Sequence, residues 1–234
     1  MKLLLLSNST NTGEDYLAWA IDDIKEFLGD ESKTCLFIPY AGVSISFDAY
    51  CKKVKEKFAA IGHRIKSVHL FDDPVKAVEE AEVIVTGGGN TFHLNSLLQV
   101  NGLIEPIRKK IKSGVPYIGW SAGSNVACPT ICTTNDMPII EPESFNALNI
   151  IPFQINPHYL DANPEGHGGE TREMRIEEYI EVNPDKYVVG LREGTGLSIH
   201  DDNIRLFGKR PARIFKKGMQ PMELDTSDNF QFLI

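Results

Sequence analysis

Val115-Pro116-Tyr117-Ile118-Gly119-Trp120-Ser121-Ala122-Gly123 reads as a β-prone, apolar strand that runs into a tight turn and opens a segment of small residues able to start a helix. Its last five residues fit G-x-S-x-G, a nucleophile elbow. A serine on so sharp a strand-to-helix turn projects its hydroxyl clear of the backbone, and the flanking glycines tolerate the close packing that the turn demands. The N–H of Ala122, next in the chain, then points to where an oxyanion would form. The competing reading is an ordinary glycine-rich turn, and the surrounding pattern decides between the two.

The same strand-then-helix pattern runs through the chain upstream. Short apolar runs at 2–6, 34–38, 67–70, 83–86 and 117–119 alternate with stretches of helical length at 16–28, 47–61, 74–81 and 91–112. This is the mark of βαβ units and a mostly parallel sheet. The last helix is expected to break near Asn101-Gly102. Beyond Gly123 the pattern changes, and Pro129, Pro138, Pro142, Pro152, Pro157 and Pro164 punctuate loops and short strands. A helix is expected at 170–182, then strands at 187–191, 197–200, 204–207 and 212–215, with Asp201-Asp202-Asn203 turning a hairpin. The predicted fold is α/β, a mostly parallel, flavodoxin-like sheet with helices on both faces and short antiparallel strands near the C-terminus. Neither an internal repeat nor a linker interrupts it, so residues 1–234 are read as a single catalytic domain.

Composition narrows the function. A formal net charge of -8, with no basic stripe interleaved with aromatics, argues against nucleic acid as a partner. Arg108-Lys109-Lys110 reads as the solvated face of a helix. The four cysteines are too few for a disulfide scaffold and are expected to be reduced, in a cytoplasmic protein. The apolar run of Met1-Lys2-Leu3-Leu4-Leu5-Leu6 stops at Ser7-Asn8-Ser9, which suits a buried first strand better than an export signal. No stretch approaches the ~20 apolar residues of a membrane span. With no H-E-x-x-H or similar ligand spacing, neither a metal nor a cofactor is expected.

In an open parallel sheet, ligands bind beyond the carboxyl ends of the strands. There, Val83-Ile84-Val85-Thr86 runs into Gly87-Gly88-Gly89-Asn90-Thr91, a nest whose free N–H groups suit a phosphate or an oxyanion. Neither G-x-G-x-x-G nor a lysine-bearing P-loop fits, and a serine elbow on the next strand favours the oxyanion. A serine needs a general base, and the base an orienting acid. Among six histidines, His63, His69, His93 and His200 have core or surface readings. His158, in the loop Asn156-Pro157-His158-Tyr159, and His167, in Gly166-His167-Gly168, remain as rivals. Asp136 and Glu193 both follow β-prone stretches and are candidates for the acid, although either is also readable as a turn carboxylate.

Gly119-Trp120-Ser121-Ala122-Gly123-Ser124-Asn125, Thr133-Thr134-Asn135-Asp136-Met137-Pro138, Phe153-Gln154-Ile155-Asn156-Pro157-His158-Tyr159 and the nest at Gly87 together resemble the peptidase E family of aspartyl dipeptidases. The resemblance spans essentially the whole chain in the same order. It implies a serine peptidase on a fold similar to class I glutamine amidotransferases, with serine in place of the amidotransferase cysteine. By motif, Ser121 is then the nucleophile, His158 the base and Asp136 the acid, with Glu193 matching another family position near the site as the alternative acid. The oxyanion donors would be the N–H groups of Ala122 and of Gly88 or Gly89.

The implied substrate is a small peptide or similar short amide with a free N-terminal aspartate, which calls for a cation. Arg172 is expected in the first turn of a helix, where it opposes the dipole at a cost of ~0.3–1 kcal/mol. A bidentate clamp on the substrate β-carboxylate would compensate, and the alternative is an i,i+4 pair with a neighbouring glutamate. The resemblance favours the clamp. Asn90 beside the nest is a further substrate contact, and Glu193 or Asp136 would meet the substrate ammonium.

Three other readings share parts of this pattern. An α/β-hydrolase esterase uses the same elbow and the order Ser, Asp, His, but carries extra strands before it and a His-Gly-Gly loop. A cyanophycinase-like peptidase would use the same fold on aspartyl-arginine polymers. A non-enzymatic flavodoxin-like module would bind a small molecule at the nest, with the elbow as a mere turn. Neither nucleic acid nor a membrane is an expected partner, a homodimer is compatible, and the chain leaves oligomeric state open.

Overall fold

The computed structural model describes every residue except Pro164 and His167. Strand β1 (Lys2–Leu6) is a run of leucines buried on both faces, and that composition places it inside a sheet. Around it lie β2 (Thr34–Ile38), β3 (Arg64–Ser67), β4 (Val83–Thr86), β5 (Tyr117–Trp120), β8 (Thr195–His200) and β9 (Asn203–Gly208). Their order is β3-β2-β4-β5-β1-β8-β9. The first five run parallel, and the β8/β9 hairpin adds two antiparallel strands at one edge.

Leu3 and Leu5 face a core that includes Val78 from α3 (Pro74–Glu79), Leu94 and Leu98 from α4 (Thr91–Val100) and Ile107 and Ile111 from α5 (Ile104–Lys112). Leu4 and Leu6 face Ile24 and Phe27 from α1 (Ile21–Leu28) and Val54 and Phe58 from α2 (Phe47–Ala60). Helices thus cover both faces of a mostly parallel sheet, as expected.

A second sheet, ordered β11-β10-β7-β6, consists of β6 (Gln154–Asn156), β7 (Val188–Gly190), β10 (Ala212–Phe215) and β11 (Met222–Leu224). Its residues Ile155, Val189 and Ile214 belong to the core under α4 and α5. β6 and β7 are parallel neighbours, so their carboxyl ends emerge together.

Several boundaries differ from expectation. The run expected as a strand at 67–70 is a 3-10 turn, and the strand precedes it, alternating exposed and buried residues from Arg64 to Ser67. The first helix starts at Ile21 rather than near 16, after Leu17 at φ 58 and a 3-10 turn over Ala18–Ala20. As expected, however, the long stretch 91–112 breaks near Asn101-Gly102 into two helices, parted at Gly102 with φ 64.

In the register, Leu6 faces Trp120 and Gly119 faces Thr86, so β1, β5 and β4 end at one level. The segments beginning at Ser7, Gly87 and Ser121 therefore share one edge of the sheet.

Candidate active site

Ser121 adopts φ 52 and ψ -113 between β5 and the short helix α6 (Ala122–Asn125). The glycines on either side make that turn possible. A Cβ on Gly119 would stand 2.5 Å from the carbonyl oxygen of Gly123, and one on Gly123 would stand 2.2 Å from that of Thr86. The Ser124 hydroxyl fastens the turn to Leu6 O at 2.7 Å and Gly119 O at 2.9 Å, and the Tyr117 hydroxyl donates to Gly123 O at 2.6 Å.

β6 and β7 bring two side chains to this serine. His158 lies just beyond β6 at φ 54, with its Nε2 2.9 Å from Ser121 Oγ and its Nδ1 2.8 Å from Glu193 Oε1. The His158 N–H donates to Ser7 Oγ at 2.9 Å, and the Ser7 hydroxyl donates to Leu191 O at 2.8 Å. One buried hydroxyl at the end of β1 thus holds the loops of both His158 and Glu193. Asn135 Nδ2 donates to Pro157 O at 2.6 Å, and Asn156 Nδ2 to Thr133 O at 2.9 Å, pinning the histidine loop from the other side. Glu193 is flanked by anchors: Arg192 pairs with Asp161 and Glu223, and the Gly194 N–H donates to Asn8 Oδ1 at 2.9 Å.

Asp136, expected as the orienting acid, does not contact His158. Its Oδ2 accepts the Thr91 N–H at 2.7 Å and the Thr134 hydroxyl at 3.1 Å, which places its charge at the N-terminus of α4, where the helix dipole favours it. The structure sets Glu193, the alternative, at the histidine. Asn90 is also already engaged. Its Oδ1 caps α4 by accepting the His93 N–H at 3.0 Å, and its Nδ2 donates to Met137 O at 2.8 Å.

Of the other histidines, His69 pairs with Asp48, His93 Nδ1 faces Tyr40 O, His63 is buried beside Lys33, and His200 ends β8. His167 lies outside the described residues.

Arg172 opens α7 (Arg172–Val182). Among the described residues no carboxylate pairs with it, whereas Arg175 pairs with Glu170 at 3.7 Å. Burial, then repulsion from Arg175, lowers the Arg172 pKa, and the nearby Asp136 charge pushes it back up. A partly buried guanidinium with no ion-pair partner among the described residues is available to an anionic ligand.

The glycine nest abuts the serine. A Cβ on Gly88 would lie 3.0 Å from Ser121 Cβ and 2.9 Å from Trp120 O, and one on Gly89, at φ 141, would lie 2.1 Å from Ala41 O. Among the described residues the N–H groups of Gly88, Gly89 and Ala122 have no acceptor, while those of Gly87 and Asn90 bond to Ile38 O and Ala41 O. A cavity of about 420 Å³, lined in part by Gly88, Gly89, Val43, Ile45 and Ile139, opens beside the nest.

Among the described residues no cluster of three His, Cys, Asp or Glu side chains is arranged to hold a metal, and no helix is long and apolar enough to cross a membrane. Ser7 and Asn8 are the site residues that sequence reasoning missed. Their position immediately after a buried parallel strand was the signal that could have found them.

The family model described as peptidase family S51 matches residues 3–207. A peptidase E of Nostoc sp. strain PCC 7120 is 52% identical over 233 residues, covering 100% of this chain and 96% of that one. A peptidase E of Shigella flexneri is 45% identical over 230 residues, covering 98% of this chain and 100% of its own. The crystal structure of a peptidase from an acI-B1 Actinobacterium shares the fold, with a TM-score of 0.72 at 19% identity over 98% of this chain and 96% of that chain.

Proposed function

The chain belongs to peptidase family S51 and is a peptidase, and from that premise we propose that it hydrolyses dipeptides and similar short amides with a free N-terminal aspartate, with Ser121 as nucleophile, His158 as general base and Glu193 as orienting acid. The observation that carries this reading is the unbroken chain from Ser121 Oγ to His158 Nε2 at 2.9 Å and from His158 Nδ1 to Glu193 Oε1 at 2.8 Å. A carboxylate on Nδ1 selects the tautomer that leaves the Nε2 lone pair facing the serine, and it stabilises the imidazolium that forms.

The Ser121 oxygen attacks the aspartyl carbonyl carbon while its proton passes to His158 Nε2. The carbonyl oxygen becomes an oxyanion held by the N–H of Ala122 and those of Gly88 or Gly89. As the C–N bond breaks, the imidazolium returns the proton to the leaving amine, and an aspartyl ester on Ser121 remains. Water, deprotonated by the same imidazole, releases aspartate and restores the serine.

Arg172 clamps the substrate β-carboxylate as a planar fork, a geometry that selects aspartate over neutral residues. Asp136, across from Arg172 and at the head of α4, is placed for the substrate ammonium as well as for the helix. A cytoplasmic setting suits the four unpaired cysteines.

The test is hydrolysis of Asp-Leu beside Glu-Leu, Ala-Leu and N-acetyl-Asp-Leu by the wild type and Ser121→Ala. Cleavage is expected for Asp-Leu alone and is abolished in Ser121→Ala. Undiminished turnover in that variant, or faster cleavage of short acyl esters than of Asp-Leu, would overturn the reading.

A further inference from the structure

Backbone bonds hold the glycine nest at its two ends, Gly87 N–H to Ile38 O at 3.1 Å and Asn90 N–H to Ala41 O at 2.8 Å. Between those ends the hold comes from a side chain. Tyr50, buried on α2, places its hydroxyl 2.9 Å from Gly88 O. A carbonyl oxygen only accepts, so the phenol is the donor, and a third group orients it. Trp120 Nε1 lies 3.1 Å from the Tyr50 hydroxyl, and an indole N–H only donates. The phenol oxygen therefore accepts from Trp120 and gives its own proton to Gly88. Burial raises the Tyr50 pKa above the ordinary phenol value, so this donor persists across any working pH. The contact is tight, since a Cβ on Gly87 would stand 2.5 Å from the same hydroxyl.

The peptide group is planar, so a Gly88 carbonyl drawn toward α2 turns the N–H of Gly89 to the opposite side and fixes the ψ of Gly88. Three successive glycines would otherwise sample many orientations. Donors that must reorient when charge develops lose much of their value, because electrostatic catalysis depends on preorganisation. Trp120 is also the residue before Ser121, so one hydrogen-bonded pair couples the elbow to the nest.

We propose that Tyr50, oriented by Trp120, is a positioning residue that holds the Gly89 amide ready for the oxyanion. The inference rests on the serine-peptidase reading above.

Tyr50→Phe tests it, since the ring keeps its edge-on packing against Phe37, at 5.0 Å between centroids, and loses the hydroxyl alone. The kcat for Asp-Leu is expected to fall about 10- to 100-fold, less than the ~10²–10³ typical of deleting a donor outright, with KM little changed. A second readout separates positioning from general damage. An aspartyl aldehyde accepts the Ser121 oxygen at its carbonyl carbon, the serine proton passing to His158, and so presents an oxyanion to the nest. Its affinity should weaken by the same factor as kcat/KM, while the affinity for free aspartate stays at the wild-type value.

Trp120→Phe, which leaves the Tyr50 hydroxyl without its orienting donor, should shift both readouts in the same direction by less. It serves alone if Tyr50→Phe does not fold. A wild-type kcat in the variants, or equal weakening of aldehyde and aspartate, would overturn the proposal while Ser121→Ala remained inactive. A wild type that does not cleave Asp-Leu would overturn the underlying reading instead, and this one with it.

Discussion

A serine at φ 52 occupies backbone space that costs a non-glycine residue of order 1–3 kcal/mol, and at this site the strain is borne by the hydrogen bonds of Ser124 and Tyr117 around it. On the proposed reading, the two carboxylates near the site have different tasks. Glu193→Gln preserves shape but removes the charge that stabilises the imidazolium, so kcat for Asp-Leu should fall by about 10²–10⁴. Asp136→Asn should leave that step largely intact. It removes a favourable charge from the head of α4, at about 0.3–1 kcal/mol in a urea titration, and, on the proposed reading, raises KM through the lost contact with the substrate ammonium. Steady-state kinetics of the two variants side by side decide the assignment, and a kcat loss as large in Asp136→Asn as in Glu193→Gln would reverse it. The sequence made both acids visible and the motif reading put Asp136 first, but Asp136 is turned away by Thr134 and the Thr91 N–H, partners 2 and 45 residues away in the chain.

At the scale of elements, the parallel strands were legible because a strand buried on both faces must be a continuous apolar run, as Leu3 to Leu6 and Val83 to Val85 are. β6 was not, since Gln154-Ile155-Asn156 spends its polar side chains on Thr130, Thr133 and Asn135 inside the protein, and no period of three residues reveals that. Val68-His69-Leu70 misled for the opposite reason, being apolar by composition while folding as a 3-10 turn.

The loops that follow β6 and β7 depend on a charged cluster in which Arg192 joins Asp161 and Glu223, and Arg213 joins Glu223 and Glu173. Hydrogen bonds from Arg192 hold the Asp161 carboxyl below the usual carboxylate range. Burial pushes the Glu223 carboxyl up, but Arg192 and Arg213 together outweigh it, and the net shift is downward. A carboxylate whose pKa is lower folded than unfolded stabilises the fold above the unfolded value, about 4, and that contribution vanishes as pH falls through the folded value. Asp161→Asn should therefore melt below the wild type at pH 7, with the gap closing as the pH drops under about 4. Because Asp161 is more than half exposed, the gap is modest. Thermal melts at pH 7, 5 and 3 measure it, and a gap independent of pH would exclude the ion pair as its cause.

Across the whole molecule, an acidic chain of net charge -8 does not draw in an acidic dipeptide by its overall field, so on the proposed reading a local cation supplies the attraction, and Arg172 is the candidate for it. The site is also divided between the two sheets, with Ser121 on the larger and His158 and Glu193 on the smaller. On the proposed reading, activity therefore reports how the sheets sit on each other. They share one core, in which Leu3, Ile84 and Leu94 from the larger layer pack with Ile155, Val189 and Ile214 from the smaller, and elements that share a core are expected to unfold together. Both tryptophans, Trp19 and Trp120, belong to the larger layer, so their fluorescence follows that layer while Asp-Leu hydrolysis requires the smaller one. In a urea titration of the wild type the two signals should be lost at the same concentration. Phe215→Ala sharpens the test, because Phe215 lies in the smaller layer against Tyr159, Ile176, Ile180 and Val188. Its removal should cost about 3–5 kcal/mol and shift both transitions together. If activity moved to lower urea while tryptophan fluorescence kept its wild-type midpoint, residues 1–234 would comprise two units that melt separately.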